Sequence, residues 1–162
     1  MDPVDLAAAV AARYDEVAAA YRQLLAVAGK IKERLLAGEA DLVQSLLTEQ
    51  TDLMAAVDRC NEAVAPLRRE LAACYGYSDL TLGLLSTLPD PPPPLAKAGQ
   101  AMRRVAGLLE ELASIYEGNQ QLLQERLGLV RTEQAALVRG KSAIQAYREA
   151  GPSEARFVDR RS

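Results

Sequence analysis

Few residues in this chain can do chemistry, and their spacing leaves them little to do it with. There is no histidine among the 162 residues. That excludes a phosphotransfer histidine, serine–histidine and cysteine–histidine catalytic pairs, and the Glu-x-x-His pairs of a ferritin-like di-iron site. The two thiols, Cys60 and Cys74, fall fourteen residues apart in one predicted helix. At helical rise they are roughly 21 Å apart, far beyond the ~7 Å reach of a disulfide. Two thiols without histidine or clustered carboxylates also make a poor metal site, so both are read as small buried apolar residues of a reducing compartment. The acidic pair Glu110-Glu111 reads as solvated helix surface. No nucleophile, base or metal constellation remains, and neither a cofactor nor catalysis is expected.

What the spacing does offer is an apolar stripe. From Tyr116 to Tyr147 apolar residues recur every three or four positions, as on one face of a helix. Such a stripe binds other helices. The question is how much of it the rest of the chain can cover.

Composition bounds the answer. The chain is 49% hydrophobic and 25% charged, but only 4% aromatic, with no Trp and one Phe. Abundant Ala, Leu, Glu, Gln and Arg with few β-branched residues predicts an all-α protein without a thick globular core. A net charge of −3 gives no reason to expect nucleic acid or an anionic membrane as partner. The N-terminus has neither a basic leader nor a long apolar run, so neither a signal peptide nor membrane insertion is expected.

Three long helices and a short one follow from the pattern. Asp2-Pro3 supplies an N-cap and a first-turn proline for a helix over about 3–37. Its seam, Val10, Tyr14, Val17, Tyr21, Leu24, Ala28, Ile31, Leu35, alternates steps of four and three, which is a heptad repeat. A second seam over about 40–74 runs Val43, Leu46, Gln50, Leu53, Val57, Cys60, Val64, Leu67, Leu71, with Pro66 inside it. The break at Gly38-Glu39-Ala40 admits two readings, a tight antiparallel hairpin or a kink in one helix. Ser78 is positioned to cap a short helix over 79–88 whose five leucines plug one end of a bundle. A proline-rich connector, 89–94, returns the chain to a long final helix over about 95–148, and 151–162 reads as a flexible tail. The expected architecture is a single domain over 1–150: an antiparallel helical hairpin plus one long helix, a coiled-coil-like elongated bundle.

The final helix keeps its rhythm for some fifty residues but turns polar at Asn119, Arg126 and Glu133. The first two helices are each about 50 Å long and the last about 80 Å. A hairpin of that length covers the last helix only to about Val130. Leu137, Val138, Ile144 and Tyr147 are then left without an internal partner, unless the helix breaks at Gly128 or Gly140 and folds back.

Three stretches resemble a known family in order along the chain. LLAGEADLVQSLLTEQTDLMAAVD is similar to the first block of FlgN-type flagellar export chaperones, GNQQLLQERLGLVRTEQAAL to their second, and QAYREAG to the Tyr-x-x-x-Gly that closes their helix. The proline run and the longer first helix depart from the family pattern. The resemblance implies a cytoplasmic chaperone of flagellar type III secretion. Such a chaperone binds the C-terminal helical segments of hook–filament junction proteins, prevents their premature polymerisation and delivers them to the export gate. Carried onto this sequence, the client-binding residues are Leu122, Leu123, Leu127, Val130 and Leu137, and the export-gate docking residues are Ile144 and Tyr147. The related filament-cap chaperones share the plan, which leaves the client open between the two. From the residues alone, a homotypic coiled-coil scaffold is the alternative, and a homodimer in the absence of client is compatible with both.

Overall fold

The computed structural model describes the backbone of residues 1–159 and the side chains of residues 1–149. Among the described residues there are helices and turns but no strand. The elements are α1 (Pro3–Leu36), a single 3-10 turn (Ala40–Leu42) leading into α2 (Val43–Ala73), the short α3 (Leu82–Thr87), and α4 (Pro93–Asp159). The chain divides into two compact units, Met1–Gln120 and Gln121–Ser162.

Within the first unit, Asp2 caps α1 as expected, its Oδ1 accepting from the Val4 amide at 2.8 Å. Gly38 resolves the first ambiguity in favour of the hairpin. Its φ of 76° lets the Gly38 amide reach the Leu35 carbonyl and the Glu39 amide reach the Arg34 carbonyl. This is the left-handed stop that a residue with a Cβ resists. Gly76 (φ 79°) ends α2 the same way, with the Tyr77 amide bonded to the Ala72 carbonyl. Pro66 sits inside α2, which runs through it without ending.

All eight seam residues predicted for α1 are buried. Partners from α2 (Val57, Val64, Leu71) and from α4 (Leu95, Ala98, Ala101, Met102, Leu112) lie in the same two clusters as the six seam residues from Val10 to Ala28. Early α1 meets late α2 and early α4, so α2 is antiparallel to α1 and α4 is parallel to it. On α2 four of the nine seam positions are fully buried (Val43, Val57, Val64, Leu71), while Leu46, Gln50, Leu53, Cys60 and Leu67 are half-covered. Helix α2 also meets α4, where Tyr116 Oη lies 3.8 Å from Met54 Sδ.

The cysteines correct one expectation. Cys60 is half-buried in the second cluster, but Cys74 is exposed. It closes α2 one residue after Ala73, and its thiol reaches the Glu70 carbonyl at 3.4 Å.

The end plug forms from the five leucines expected. Leu80, Leu82, Leu84, Leu85 and Leu88 all pack in the first cluster. The helix they sit on is shorter than predicted, and Thr81, not Ser78, caps it by accepting from the Leu84 amide at 3.0 Å. The segment before Thr81 is held by another device. Arg68 of α2 donates from Nε and Nη2 to the two carboxylate oxygens of Asp79, both at 2.8 Å, and from Nη1 to Tyr14 Oη of α1 at 3.2 Å. Asp79 Oδ1 also accepts from the Leu80 amide. The paired hydrogen bonds from Arg68 hold the Asp79 carboxyl below the usual carboxylate range.

Helix α4 begins at Pro93, two residues before the expected start, because proline in a first turn lacks only an amide that would have no helical partner anyway. It is tied to α1 by Arg104 Nη2 to Asp15 Oδ1 at 3.1 Å and by Asn119 Nδ2 to the Ala28 carbonyl at 2.9 Å. Asn119 is buried, and its Oδ1 has no hydrogen-bond partner. A lone amide in an apolar seam weakens the pairing but fixes its register, since a shifted register loses the bond it does make. Near Gly99 the packing is closest: a Cβ there would lie 2.6 Å from Leu85 Cδ1.

At the other end α4 does not stop near Arg148 but stays helical to Asp159, through Pro152, whose fixed φ is itself a helical value. The expected flexible tail, 151–162, lies outside the described residues in its side chains, and 160–162 lies outside them altogether.

Two outcomes follow. Gly99→Ala should destabilise the chain by about 1–3 kcal/mol, because Leu85 is buried and must leave its rotamer. Urea titration checks this, and Leu85→Val in the same chain should recover part of the loss. Asp79 is lowered in the folded state, so its contribution is complete above the unfolded pKa of about 3.9 and is lost as pH falls through the lower folded value. The urea midpoint of the wild type should therefore fall more steeply below about pH 4 than that of Asp79→Asn.

Candidate functional site

Burial on α4 stops at a definite place. Asn119 is its last buried residue among those described, Leu122, Leu123 and Arg126 are half-buried, and every residue from Leu127 to Glu149 is exposed. The helix does not break to hide them. It is continuous past Gly128 and Gly140, and no atom lies within 4 Å of where a Cβ would stand at either glycine. A fold-back at either position, or a close internal contact through them, is therefore not present.

In the second unit the predicted client-binding residues share one helix, and three lie on one line. Leu123, Val130 and Leu137 are successive steps of seven, and Ile144 is the next step. Seven residues are close to two turns, so these four stand nearly above one another. Leu122 lies on one shoulder of the line and Leu127 on the other. Tyr147 shares the Leu122 shoulder with Leu129, about five turns beyond Leu129. The structure thus joins Ile144 to the line of Leu123, Val130 and Leu137, while Tyr147 stands at its side. Both are open to solvent: Ile144 is 56% exposed and Tyr147 69%. Leu122 and Leu123 are the least accessible of the seven.

The face is open and apolar at its middle. Ala136, Leu137, Gly140 and Ile144 line a shallow depression, with Glu133 and Lys141 at its rim. Leu129 and Val138 widen the apolar area, both more than half exposed. An exposed contiguous stripe of this kind is what a helix presents to a partner helix. Nothing in it suggests bond-making. Among the described residues no group of three His, Cys, Asp or Glu could hold a metal ion, and no helix is long and apolar enough to cross a membrane.

Reading the periodicity picked out the apolar line and, of the charges beside its exposed part, noted Glu133 but not Lys141 or Arg148. Glu133 and Lys141 flank Leu137 four residues on either side, and Arg148 follows Ile144 by four. At that spacing they share its face. A signal for them exists in the sequence as a charge imbalance. Residues 1–120 carry 11 Lys and Arg against 17 Asp and Glu, net −6; residues 121–162 carry 8 against 5, net +3; the two add to the −3 of the whole.

No curated protein and no solved structure matches this sequence. A family model does: the one described as FlgN protein matches residues 1–155, which takes in the hairpin, the end plug and the whole exposed stripe of α4. With nearly its full length matched, the chain belongs to the FlgN family of flagellar chaperones.

Proposed function

We propose that the chain is a cytoplasmic export chaperone that binds the C-terminal helical segments of hook–filament junction proteins and hands them to the export gate. The observation that supports this best is the unbroken exposed line Val130–Leu137–Ile144 on α4, within a chain whose family match runs through it. A segment destined to assemble into a filament is apolar and amphipathic, and it polymerises if left free. A helix with an uncovered apolar stripe holds such a segment as a missing member of a bundle. No step in this role requires a reacting group, so the protein is read as a binding protein and not an enzyme.

Leu122, Leu123, Leu127, Val130 and Leu137 are assigned to the client, with Leu127 and Leu137 as the residues that give most because they are wholly available. Ile144 and Tyr147 are assigned to the export gate. Since Ile144 continues the client line, the two surfaces adjoin, and Tyr147 on its shoulder is the residue that separates the two roles. A filament-cap protein is the other client compatible with the same surface. The competing reading is a homotypic scaffold, in which the stripe pairs with itself.

Titration of the folded full-length chain with the C-terminal helical segment of a junction protein tests the role. Binding in the micromolar range is expected, and none at tens of micromolar would count decisively against it. Leu127→Ser with Leu137→Ser should weaken that binding at least tenfold, as each leucine contributes roughly 1.5–3 kcal/mol when covered. The thermal midpoint should stay put, because neither side chain is buried in the free chain. A tight dimer in sedimentation that client does not dissolve would favour the scaffold.

Tyr147→Ala separates delivery from capture. The variant should bind client like the wild type and fail in secretion, measured as junction protein in the culture medium. Equal loss of client binding would move Tyr147 into the client surface.

A further inference from the structure

The charges interleaved with the stripe say more about the guest than its being apolar. In the first unit four arginines are paired with carboxylates: Arg13 with Glu16, Arg34 with Glu39, Arg68 with Asp79, Arg104 with Asp15. On α4 beyond Leu127 what matters is where the charges stand. Glu133, Lys141 and Arg148 are exposed, lie on the same face as Val130, Leu137 and Ile144, and have no ion-pair partner among the described residues. Two are basic and one acidic, within a segment of net positive charge. Glu133 and Lys141 stand at opposite ends of the depression around Gly140.

A helix laid along this face brings its own flanking residues to within salt-bridge distance of all three. Partial burial of the seam lowers the local dielectric, so a like charge opposite Lys141 or Arg148 costs more than it would on open surface. We propose that the face from Val130 to Arg148 selects its guest by charge, and that the guest is an amphipathic helix of another protein with acidic residues flanking its apolar seam. Its carboxylates face Lys141 and Arg148, and a basic residue faces Glu133. This rests on the chaperone reading for the role of the face. It goes beyond that reading in saying which helices the face accepts and which it rejects.

The test uses the full-length chain and two synthetic three-heptad peptides with the same leucine seam, one flanked by Glu and the other by Lys, at concentrations where each is monomeric. Calorimetric titration at low salt should show the Glu peptide binding about threefold more tightly than the Lys peptide, since two pairs (at Lys141 and Arg148) favour it and one (at Glu133) opposes it. The gap should close at high salt, where exposed pairs are screened. Lys141→Glu with Arg148→Glu should reverse the preference without loss of helicity, since both side chains are solvent-exposed. Equal affinities for the two peptides at low salt, a preference for the Lys peptide, or an unchanged preference in the double variant would each overturn the proposal. So would a dimer of the chain that neither peptide dissolves, because the face would then be covered by a second copy. The natural junction-protein segment, titrated in parallel, keeps the two levels apart. Its failure to bind sinks the chaperone reading, whereas its binding alongside indifference between the synthetic peptides sinks only the selection by charge.

Discussion

Helix α1 is the element on which the first unit depends, because it faces two helices at once. Its eight seam residues, from Val10 to Leu35, are all covered, and it has thirteen buried residues among its 34. At helical rise that is a rod of about 50 Å. A chain with one Phe and no Trp cannot fill a thick core, so apolar surface here is hidden only where one seam lies against another. The consequence is a strict accounting of length. Apolar residues of α2 and α4 share their clusters with the α1 seam, and α2 leaves five of its nine seam positions half-open.

The plug at the other end of the hairpin then sets where α4 begins. Leu80, Leu85 and Leu95 are fully or almost fully buried together, and Gly99 lets Leu85 approach the α4 backbone as no larger residue could. Arg68 fastens the segment before this plug to both α1 and α2 through Tyr14 and Asp79. With its start held there and its register pinned by Arg104 on Asp15 and Asn119 on the Ala28 carbonyl, α4 has little freedom to slide along α1. The unsatisfied Oδ1 of Asn119 is a cost of that pinning, of the order of 1–3 kcal/mol if no water reaches it.

Much of this was legible because periodicity and caps are local signals. The α1 seam, the stop at Gly38 and the leucine plug follow from residues a few positions apart, whereas the uncovered stripe came from comparing helix lengths, which put its start near Val130 where the structure has Leu127. What escaped depends on which chain segments meet. Cys74 sits in step with a seam yet is exposed, at the C-cap where α2 ends and the chain turns at Gly76. Ser78 and Thr81 are both competent caps, and the choice of Thr81 follows from Arg68 holding Asp79 between them, a pairing eleven residues apart that no helical spacing predicts. The end of α4 was placed too early for a different reason: Gly151-Pro152 is a common stop, because proline inside a helix removes an amide hydrogen bond, yet the backbone stays helical through it to Asp159. At the stripe itself, a search by hydrophobic spacing treats Glu133, Lys141 and Arg148 as interruptions.

Those interruptions bear on how an exposed seam survives in solution. An apolar line of this length without charges would associate with any similar line, including its own copy. With Lys141 and Arg148 on the same face, an in-register parallel pair of this helix would set each cation against itself and Glu133 against Glu133, which disfavours that pairing by a few tenths of a kcal/mol per contact at exposed positions. The same charges leave the face open to a helix of complementary pattern. The arrangement that disfavours self-pairing would thus, on the proposal of selection by charge, also be the one that chooses the guest.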